Sequence, residues 1–331
     1  MTELLETLER FREEDTFAIA GAGMGGLFAT EHGMSQVLLD LGWAGPYFVE
    51  EGPPAIQRVH QDLLPWVDLA TVNTYRANET PIRNSLERVG RSDPSPAEVA
   101  EEAERITAEA FGALNRAIYE TSPPQPIVVL GSMGTMFDTD ETERADVAPR
   151  DFLFEEHLHN AQRLVAHGAD ALLVETVGSG KEAVVMAEAA AETGQPVIVA
   201  LNPHPQDGSL MYNGKDPVAD VAQALMDLKE KRPAVIGGNC AAVNRLTETL
   251  EALGGVLPDN IPRIAYGQGY PPEAHGRKNW KWEEGADLPA YMKAARTWHS
   301  LGAVIIGGCC GTTEAYIRGL VQLRDAMRWG H

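Results

Sequence analysis

Residues 303–310, with the sequence AVIIGGCC, decide our interpretation of the fold. Four apolar residues, three of them β-branched, predict a short buried strand, and the glycine pair after them predicts a turn. Residues 234–240, AVIGGNC, repeat the arrangement of an apolar run, two glycines and a cysteine. Two strand ends that carry sulfur on glycine-rich turns can bring their thiols to one point.

Further apolar runs alternate with helical patterns along nearly the whole chain. We predict eight strands, at residues 17–20, 69–73, 127–131, 171–175, 197–201, 234–238, 263–266 and 303–307. The clearest helices are predicted at residues 96–119, 152–167, 180–193, 217–229, 244–253, 288–301 and 313–328. This alternation is typical of an α/β fold, a single (β/α)8 TIM barrel domain over residues 1–331. An open, doubly wound sheet is the alternative, but residues 21–26, GAGMGG, match its dinucleotide-binding pattern only in part.

The three cysteines of the chain, Cys240, Cys309 and Cys310, stand at the ends of the two opening segments. A free cysteine is most often a small buried hydrophobe, and a disulfide between adjacent residues has poor geometry. A buried strand residue does not need two glycines before it, whereas a turn that approaches a metal closely does. Three thiolates at one point suit Zn²⁺, and three protein ligands leave the open position of a catalytic zinc.

The other distinctive motifs also fall at predicted strand ends. In a parallel barrel these ends meet at one face, where active sites lie, so the clustering predicts an active site on this rim. Besides the cysteines, the candidate substrate-binding residues are Gly23, Met24, Tyr75, Ser132, Glu175, Thr176 and Asn239.

Three motifs together resemble the zinc-dependent homocysteine S-methyltransferase family: GNC at 238–240, GGCCGTT at 307–313, and Glu175 with Thr176. The resemblance spans nearly the whole chain, and GGCCGTT is its most specific part. It implies a (β/α)8 barrel, Zn²⁺ held by Cys240, Cys309 and Cys310, and a thiol substrate as the open ligand. It also implies that Glu175 binds the amino group of homocysteine and that the product is methionine.

Methyl transfer at such a site has simple chemical requirements. The reactive form of a thiol is the thiolate, and a zinc ion lowers the pKa of a thiol bound to it. The acceptor then attacks a methyl group of a small sulfonium or ammonium donor, whose leaving group departs neutral and needs no general acid. A cationic donor favours aromatic faces. The aromatic candidates are Trp66, Tyr75, Phe137, Tyr270, Trp280 and Trp282, of which Tyr75 is the best because it ends a strand.

The stretch after the first strand departs from the family. Relatives usually carry an Asp-Gly pair there, and that Asp helps to hold the substrate amino group. Residues 20–23 here are AGAG, without an acid, and Glu31 and Asp138 are the candidate replacements. The sequence therefore leaves open whether homocysteine is the true acceptor, and it does not name the methyl donor.

Composition narrows the partners and the compartment. The 331 residues include 27 basic and 48 acidic ones, for a net charge of -21, which argues against nucleic acid and anionic membranes. Residues 1–12 form an acidic amphipathic helix pattern rather than a signal peptide, and we find no apolar run of membrane-spanning length. Three unpaired cysteines favour the reducing cytoplasm. The oligomeric state stays open.

Other functions are compatible with the same residues. A zinc-dependent barrel hydrolase would hold water at the open position, although hydrolases mostly use histidine and carboxylate ligands. A non-catalytic scaffold would close the site with a fourth protein ligand. The chain could also be the thiol-binding subunit of a larger methyl-transfer system.

Overall fold

The computed structural model describes residues 2–21, 44–138, 141–269 and 286–329. Its strands are β1 (Ala18–Gly21), β2 (Leu69–Val72), β3 (Val128–Met133), β4 (Ala171–Val177), β5 (Val197–Leu201), β6 (Pro203–His204), β7 (Asp207–Met211), β8 (Val235–Asn239), β9 (Arg263–Gly267) and β10 (Ala303–Gly308). Its α-helices are α1 (Glu3–Glu13), α2 (Gly52–Leu63), α3 (Glu79–Arg88), α4 (Pro96–Thr121), α5 (Thr142–Val147), α6 (Arg150–Ala166), α7 (Gly180–Ala191), α8 (Val218–Met226), α9 (Val243–Gly254), α10 (Leu288–Ser300) and α11 (Glu314–Arg328). Within these described ranges, no helix is both long and apolar enough to cross a membrane.

Eight of the strands close into a barrel, in the order β1-β10-β9-β8-β5-β4-β3-β2. Every neighbouring pair in the barrel is parallel. Because parallel neighbours need a crossover, helices follow the strands on the outside. The predicted (β/α)8 barrel is confirmed.

The differences from the predicted elements are local. β4 continues two residues past the predicted end, to Val177. A short hairpin of β6 and β7 follows β5, and α5 lies between β3 and α6, where we predicted neither a strand nor a helix. These elements are only two to six residues long, so they show too few repeats of a hydrophobic period to be recognised.

Side chains alternate between the barrel interior and the layer beneath the helices. On β5, Ile198 and Ala200 belong to the interior cluster, while Val197, Val199 and Leu201 belong to the outer one. This alternation follows from the two-residue period of a strand. Because both faces of each strand are buried, the strand sequences are continuous apolar runs.

The N-terminal helix α1 packs against one end of the interior. Its Leu4, Leu8 and Phe11 are buried in the same cluster as the inward side chains of the strands. The predicted amphipathic helix at the N-terminus is therefore present, and its apolar face extends the interior core.

A buried ion pair joins the last helix to the seam between β1 and β2. The Asp68 carboxylate accepts hydrogen bonds from the Ile19 backbone N–H at 2.8 Å and from Gln125 Nε2 at 2.6 Å. Arg324 Nη1 on α11 donates to the same carboxylate at 2.5 Å, and its guanidinium lies over the Phe11 ring. One carboxylate thus ties α11 to the two strands, and Arg324 also contacts α1.

Candidate active site

The three cysteine sulfurs lie together where β8 and β10 end. Their Sγ atoms are all within 4.8 Å of one another, and those of Cys240 and Cys310 are 3.8 Å apart. Cys309 is buried, whereas Cys240 and Cys310 are half-buried. The structure therefore gathers the predicted cysteines into one cluster that is not sealed from the rim.

The end of β9 holds both cysteine turns, because β9 lies between β8 and β10 in the barrel. The backbone N–H of Cys240 donates to the Tyr266 carbonyl oxygen, and that of Cys309 donates to the Gly267 carbonyl oxygen, both at 3.0 Å. Cys240 adopts a φ of +55°, which is uncommon for a residue other than glycine. Such a backbone persists where neighbouring structure holds it, and here the strand between the turns does so.

The glycine pairs allow close packing within the barrel wall. A Cβ at Gly237 would lie 1.8 Å from the Ile264 carbonyl oxygen, and one at Gly307 would lie 2.5 Å from the Ala20 carbonyl oxygen. At Gly308 the nearest atom is Thr312 Oγ1, at 2.3 Å. A side chain at any of these three glycines would therefore collide with neighbouring backbone or with the following turn.

Crowding of the sulfurs alters their acidity in a way that favours a bound cation. Hydrogen bonds from Cys309 and Cys310 lower the pKa of Cys240, and bonding to Cys240 raises the pKa of the other two. The cluster therefore holds one negative charge readily and resists more. A divalent cation removes that resistance, since it attracts all three thiolates.

One of the sulfur separations matches the edge of a tetrahedral metal site. With metal–sulfur bonds of about 2.3 Å, as for zinc, the edge of a tetrahedron is about 3.8 Å. The Cys240–Cys310 separation of 3.8 Å equals that edge. Among the described residues, the three cysteines are the one group of three or more Cys, His, Asp or Glu side chains whose ligand atoms lie close enough together to hold an ion.

A β-bulge at Thr176 shapes the end of β4. Glu175 pairs with Ala200 and Val177 with Leu201, so Thr176 is the extra residue, and its φ is +58°. Asn239 holds the bulge, since its Oδ1 accepts from the Thr176 N–H at 2.9 Å and its Nδ2 donates to Thr176 Oγ1 at 2.7 Å. Bulges re-aim side chains, and this one adjoins the predicted carboxylate Glu175.

The Glu175 carboxylate lies buried in a set of hydrogen-bond donors. Ser132 Oγ donates to Oε1, and Tyr266 OH donates to Oε2 at 2.8 Å. Burial raises the pKa of Glu175 to about 7, although the bonds from Ser132 and Tyr266 act in the opposite direction. Glu175 is therefore a buried carboxylate of the site and not part of a surface ion pair.

Tyr75 lies on the predicted rim, in the loop after β2. A Cβ at Gly134 would lie 2.6 Å from two carbons of the Tyr75 ring, so the glycine allows the ring to pack on the loop after β3. Ser132 is also tied to this region, because its carbonyl oxygen accepts from Thr74 Oγ1 at 2.8 Å. The structure thus brings Tyr75, Ser132, Glu175, Thr176 and Asn239 to strand ends on the cysteine side of the barrel.

Three other candidates have different roles. Trp66 precedes β2, at the opposite end of the barrel from the cysteines, and Arg318 lies over its ring at 5.0 Å. The Arg144 guanidinium lies over the Phe137 ring, with its Cζ 4.4 Å from the ring centroid. Asp138 is 54% exposed and pairs with the buried Arg76, so it does not stand as a spare acid beside Glu175.

Several sequence candidates lie outside the described residues. They are Gly23, Met24, Glu31, Tyr270, Trp280 and Trp282. Two histidines have partners outside the cysteine cluster: His157 on α6 bonds Glu182 on α7 at 3.1 Å, and His204 Nδ1 accepts from the Gln206 N–H at 3.3 Å.

Sequence reasoning missed three residues that support the site. Tyr266 donates to Glu175, and Asn202 and Gln268 both donate to the Cys240 carbonyl oxygen, at 3.3 and 3.0 Å. Their signal was weak but present, because each stands at or just after the end of a predicted strand. Their partners could not be known, since 28 or more residues separate each from the group that it contacts.

Comparison with known proteins agrees with this geometry. The family model described as homocysteine S-methyltransferase matches residues 23–323. The chain is 28% identical over 296 residues to homocysteine S-methyltransferase YbgG of Bacillus subtilis, covering 86% of this chain and 88% of that protein. It is 27% identical to homocysteine S-methyltransferase 4 of Zea mays, covering 95% and 92%. In fold it is similar to the metallated form of the homocysteine methyltransferase MmuM from Escherichia coli, with a TM-score of 0.71, 21% identity, and 96% and 99% coverage. The chain belongs to the homocysteine S-methyltransferase family, a family of enzymes.

Proposed function

We propose that this chain is a zinc-dependent S-methyltransferase. It would move a methyl group from a small sulfonium or ammonium donor to homocysteine or to a related thiol. With homocysteine as the acceptor, the product is methionine. The observation that carries the proposal is the cluster of three sulfurs within 4.8 Å, on the rim of a barrel of this family.

Cys240, Cys309 and Cys310 would hold the zinc ion. Three protein ligands leave one tetrahedral position open, as catalytic rather than structural zinc requires. When bound, the ion would supply a thiolate at neutral pH, by lowering the pKa of the acceptor thiol.

Glu175 would bind the ammonium group of the acceptor. Its oxygens already accept from Ser132 and Tyr266, and a carboxylate has room for about four hydrogen bonds, so it can accept from an ammonium as well. Thr176 and Asn239, through the bulge, would keep Glu175 aimed at the open side of the cluster. Gly23, Met24 and Tyr75 stay predicted substrate-binding residues.

The donor would meet a site that needs no general acid, because a sulfide or a tertiary amine leaves without a charge. Tyr75 remains the described aromatic candidate on the rim. The excess of negative charge over the chain favours a cationic donor and argues against nucleic acid and anionic membranes as partners. Use of cysteines as thiolate ligands suits a reducing compartment such as the cytoplasm.

Two measurements test the proposal. Purified protein should contain about one zinc per chain, and Cys240→Ala, Cys309→Ala and Cys310→Ala should each lose it, while Ser132→Ala retains it. The zinc-loaded protein should then be assayed with homocysteine and a panel of donors: S-methylmethionine, S-adenosylmethionine, betaine and dimethylsulfoniopropionate. Release of methionine with one donor is the expected result.

Other results would select a different function. Hydrolysis without a thiol acceptor would favour the barrel hydrolase. Thiol binding without turnover would favour a subunit of a larger methyl-transfer system. Retention of zinc after a cysteine substitution would remove that cysteine from the ligand set.

A further inference from the structure

Tyr266 is a buried tyrosine that touches both ends of the candidate site. It lies within β9 with no exposed surface. Its carbonyl oxygen accepts from the Cys240 N–H at 3.0 Å, and its hydroxyl donates to Glu175 Oε2 at 2.8 Å. One residue thus connects the metal end of the site to the carboxylate end.

The side chain makes this connection across the barrel interior. β9 and β4 are not neighbours, since β8 and β5 lie between them in the barrel. Tyr266 belongs to the interior core cluster, together with inward side chains of β4 and β5. Its length from Cα to hydroxyl therefore helps to set the distance between the Cys240 backbone and the Glu175 carboxylate.

The contact at Glu175 limits how this carboxylate can turn. Ser132 holds Oε1 from the β3 side, and Tyr266 holds Oε2 from the β9 side. Burial raises the pKa of Tyr266, so its hydroxyl stays a proton donor at neutral pH. With both oxygens held from opposite sides, the carboxylate has one preferred orientation.

We infer that Tyr266 is a positioning residue that selects the acceptor by the distance between its amino group and its sulfur. The inference rests on the proposed function, in which the acceptor sulfur joins the cysteine cluster and its ammonium pairs with Glu175. A thiol without an amino group gains nothing from the orientation of Glu175. One with a shorter spacer, such as cysteine, cannot reach both ends at once.

Equilibrium binding tests the inference separately from turnover. Zinc-loaded wild type and Tyr266→Phe are titrated by calorimetry with homocysteine, cysteine and 4-mercaptobutyrate, which keeps the chain length but lacks the amino group. Wild type should prefer homocysteine to both other thiols. Tyr266→Phe should bind homocysteine about tenfold more weakly, as expected for a lost bond to a charged group, and 4-mercaptobutyrate unchanged. Zinc content should stay at the wild-type level, because the backbone rather than the hydroxyl of Tyr266 contacts Cys240.

Tyr316→Phe is the matched control. It also removes a buried hydroxyl, which donates to the Ala286 carbonyl oxygen at 2.9 Å, but it leaves Glu175 untouched. The affinity of Tyr316→Phe for homocysteine, divided by its affinity for 4-mercaptobutyrate, should equal the wild-type ratio.

Four results would overturn the inference. Three concern Tyr266→Phe: equally weakened binding of homocysteine and 4-mercaptobutyrate, unchanged or tighter binding of homocysteine, or loss of zinc. The fourth is a wild type that binds the three thiols equally well. The parallel methyl-transfer assay shows which idea fails. If homocysteine is methylated but Tyr266→Phe keeps the wild-type affinity ratio, only the inference is wrong. If the ratio falls but no donor yields methionine, only the proposed function is wrong.

Discussion

At the scale of single residues, the site is defined by a few polar groups held in uncommon conformations. Thr176 and Cys240 both have positive φ, and Asn239, which precedes Cys240, holds the backbone of Thr176. The carboxylate and the sulfur cluster are therefore coupled through one amide side chain. Strain of this kind, of order 1–3 kcal/mol for each residue, persists where the surrounding structure over-determines it.

Replacing Glu175 by Gln should weaken homocysteine binding without removing zinc. The change keeps the shape and removes the charge that would pair with an ammonium, so the cost should be about 1.5–3 kcal/mol. Calorimetry with homocysteine measures the loss. Binding of 4-mercaptobutyrate serves as the control and should not change, and an equal loss for both thiols would contradict a role at the amino group.

Homocysteine binding should depend on the ionisation of Glu175. With a pKa of about 7, Glu175 accepts an ammonium only after it loses its proton, so affinity should rise as pH increases through this value. The ionised fraction grows from about one tenth to about nine tenths between one unit below and one unit above the pKa. Titrations from pH 6 to 8 should show a steeper rise in wild type than in Glu175→Gln, where only the proton lost from the acceptor thiol remains. A rise of the same size in the variant would assign it to another group, such as a thiol.

At the scale of the elements, the two ends of the barrel have different roles: one end holds the candidate site and the other is packed core. The cysteines, Glu175 and Tyr75 lie at the carboxyl ends of the strands or just after them, while the opposite end of the interior is filled by α1. Separation of a reactive rim from a packed base lets the base supply stability without touching the site.

The inner face of α1 should contribute measurably to that stability. Leu8 is 3% exposed and packs in the interior cluster, whereas Leu5 on the same helix is 37% exposed. Leu8→Ala should lower the free energy of unfolding by about 2–5 kcal/mol, because it leaves a cavity in the core. Urea denaturation followed by circular dichroism measures this. Leu5→Ala is the matched control, and a similar loss there would show that helix propensity rather than burial explains the effect.

At the scale of the whole molecule, closure of the barrel brings distant parts of the chain together. β1 pairs with both β2 and β10, and Asp68 and Arg324 meet across this seam although 256 residues separate them. Pairing of the consecutive strands β8, β9 and β10 sets β9 between the two cysteine turns, which allows these turns to bring their sulfurs to one point.

Removing the Arg324 charge should destabilise the closed barrel. Arg324→Leu leaves the buried Asp68 carboxylate without its cation, at a cost of about 3–5 kcal/mol. Arg318→Leu is the control on the same helix, because Arg318 is 55% exposed, its ion pair with Glu314 spans 3.7 Å, and its loss should cost less than about 1 kcal/mol. Thermal unfolding of both variants tests the difference, and equal melting temperatures would refute the proposed importance of the seam.

The sequence by itself determined the barrel, the order of its strands along the chain, and the cysteines that lie together. It could do so because eight buried strands are short apolar runs with clear turns after them, and because strand ends must meet on one face of a parallel barrel. The place of Trp66 also follows from the predicted strand at 69–73, because a residue before a strand lies at its amino end. Only the tertiary structure decided which donors surround Glu175, that Thr176 forms a bulge, and that Tyr266 spans the interior. It also paired Asp138 with Arg76. These facts depend on contacts between residues far apart in the chain, and no local periodicity or spacing carries information about such contacts.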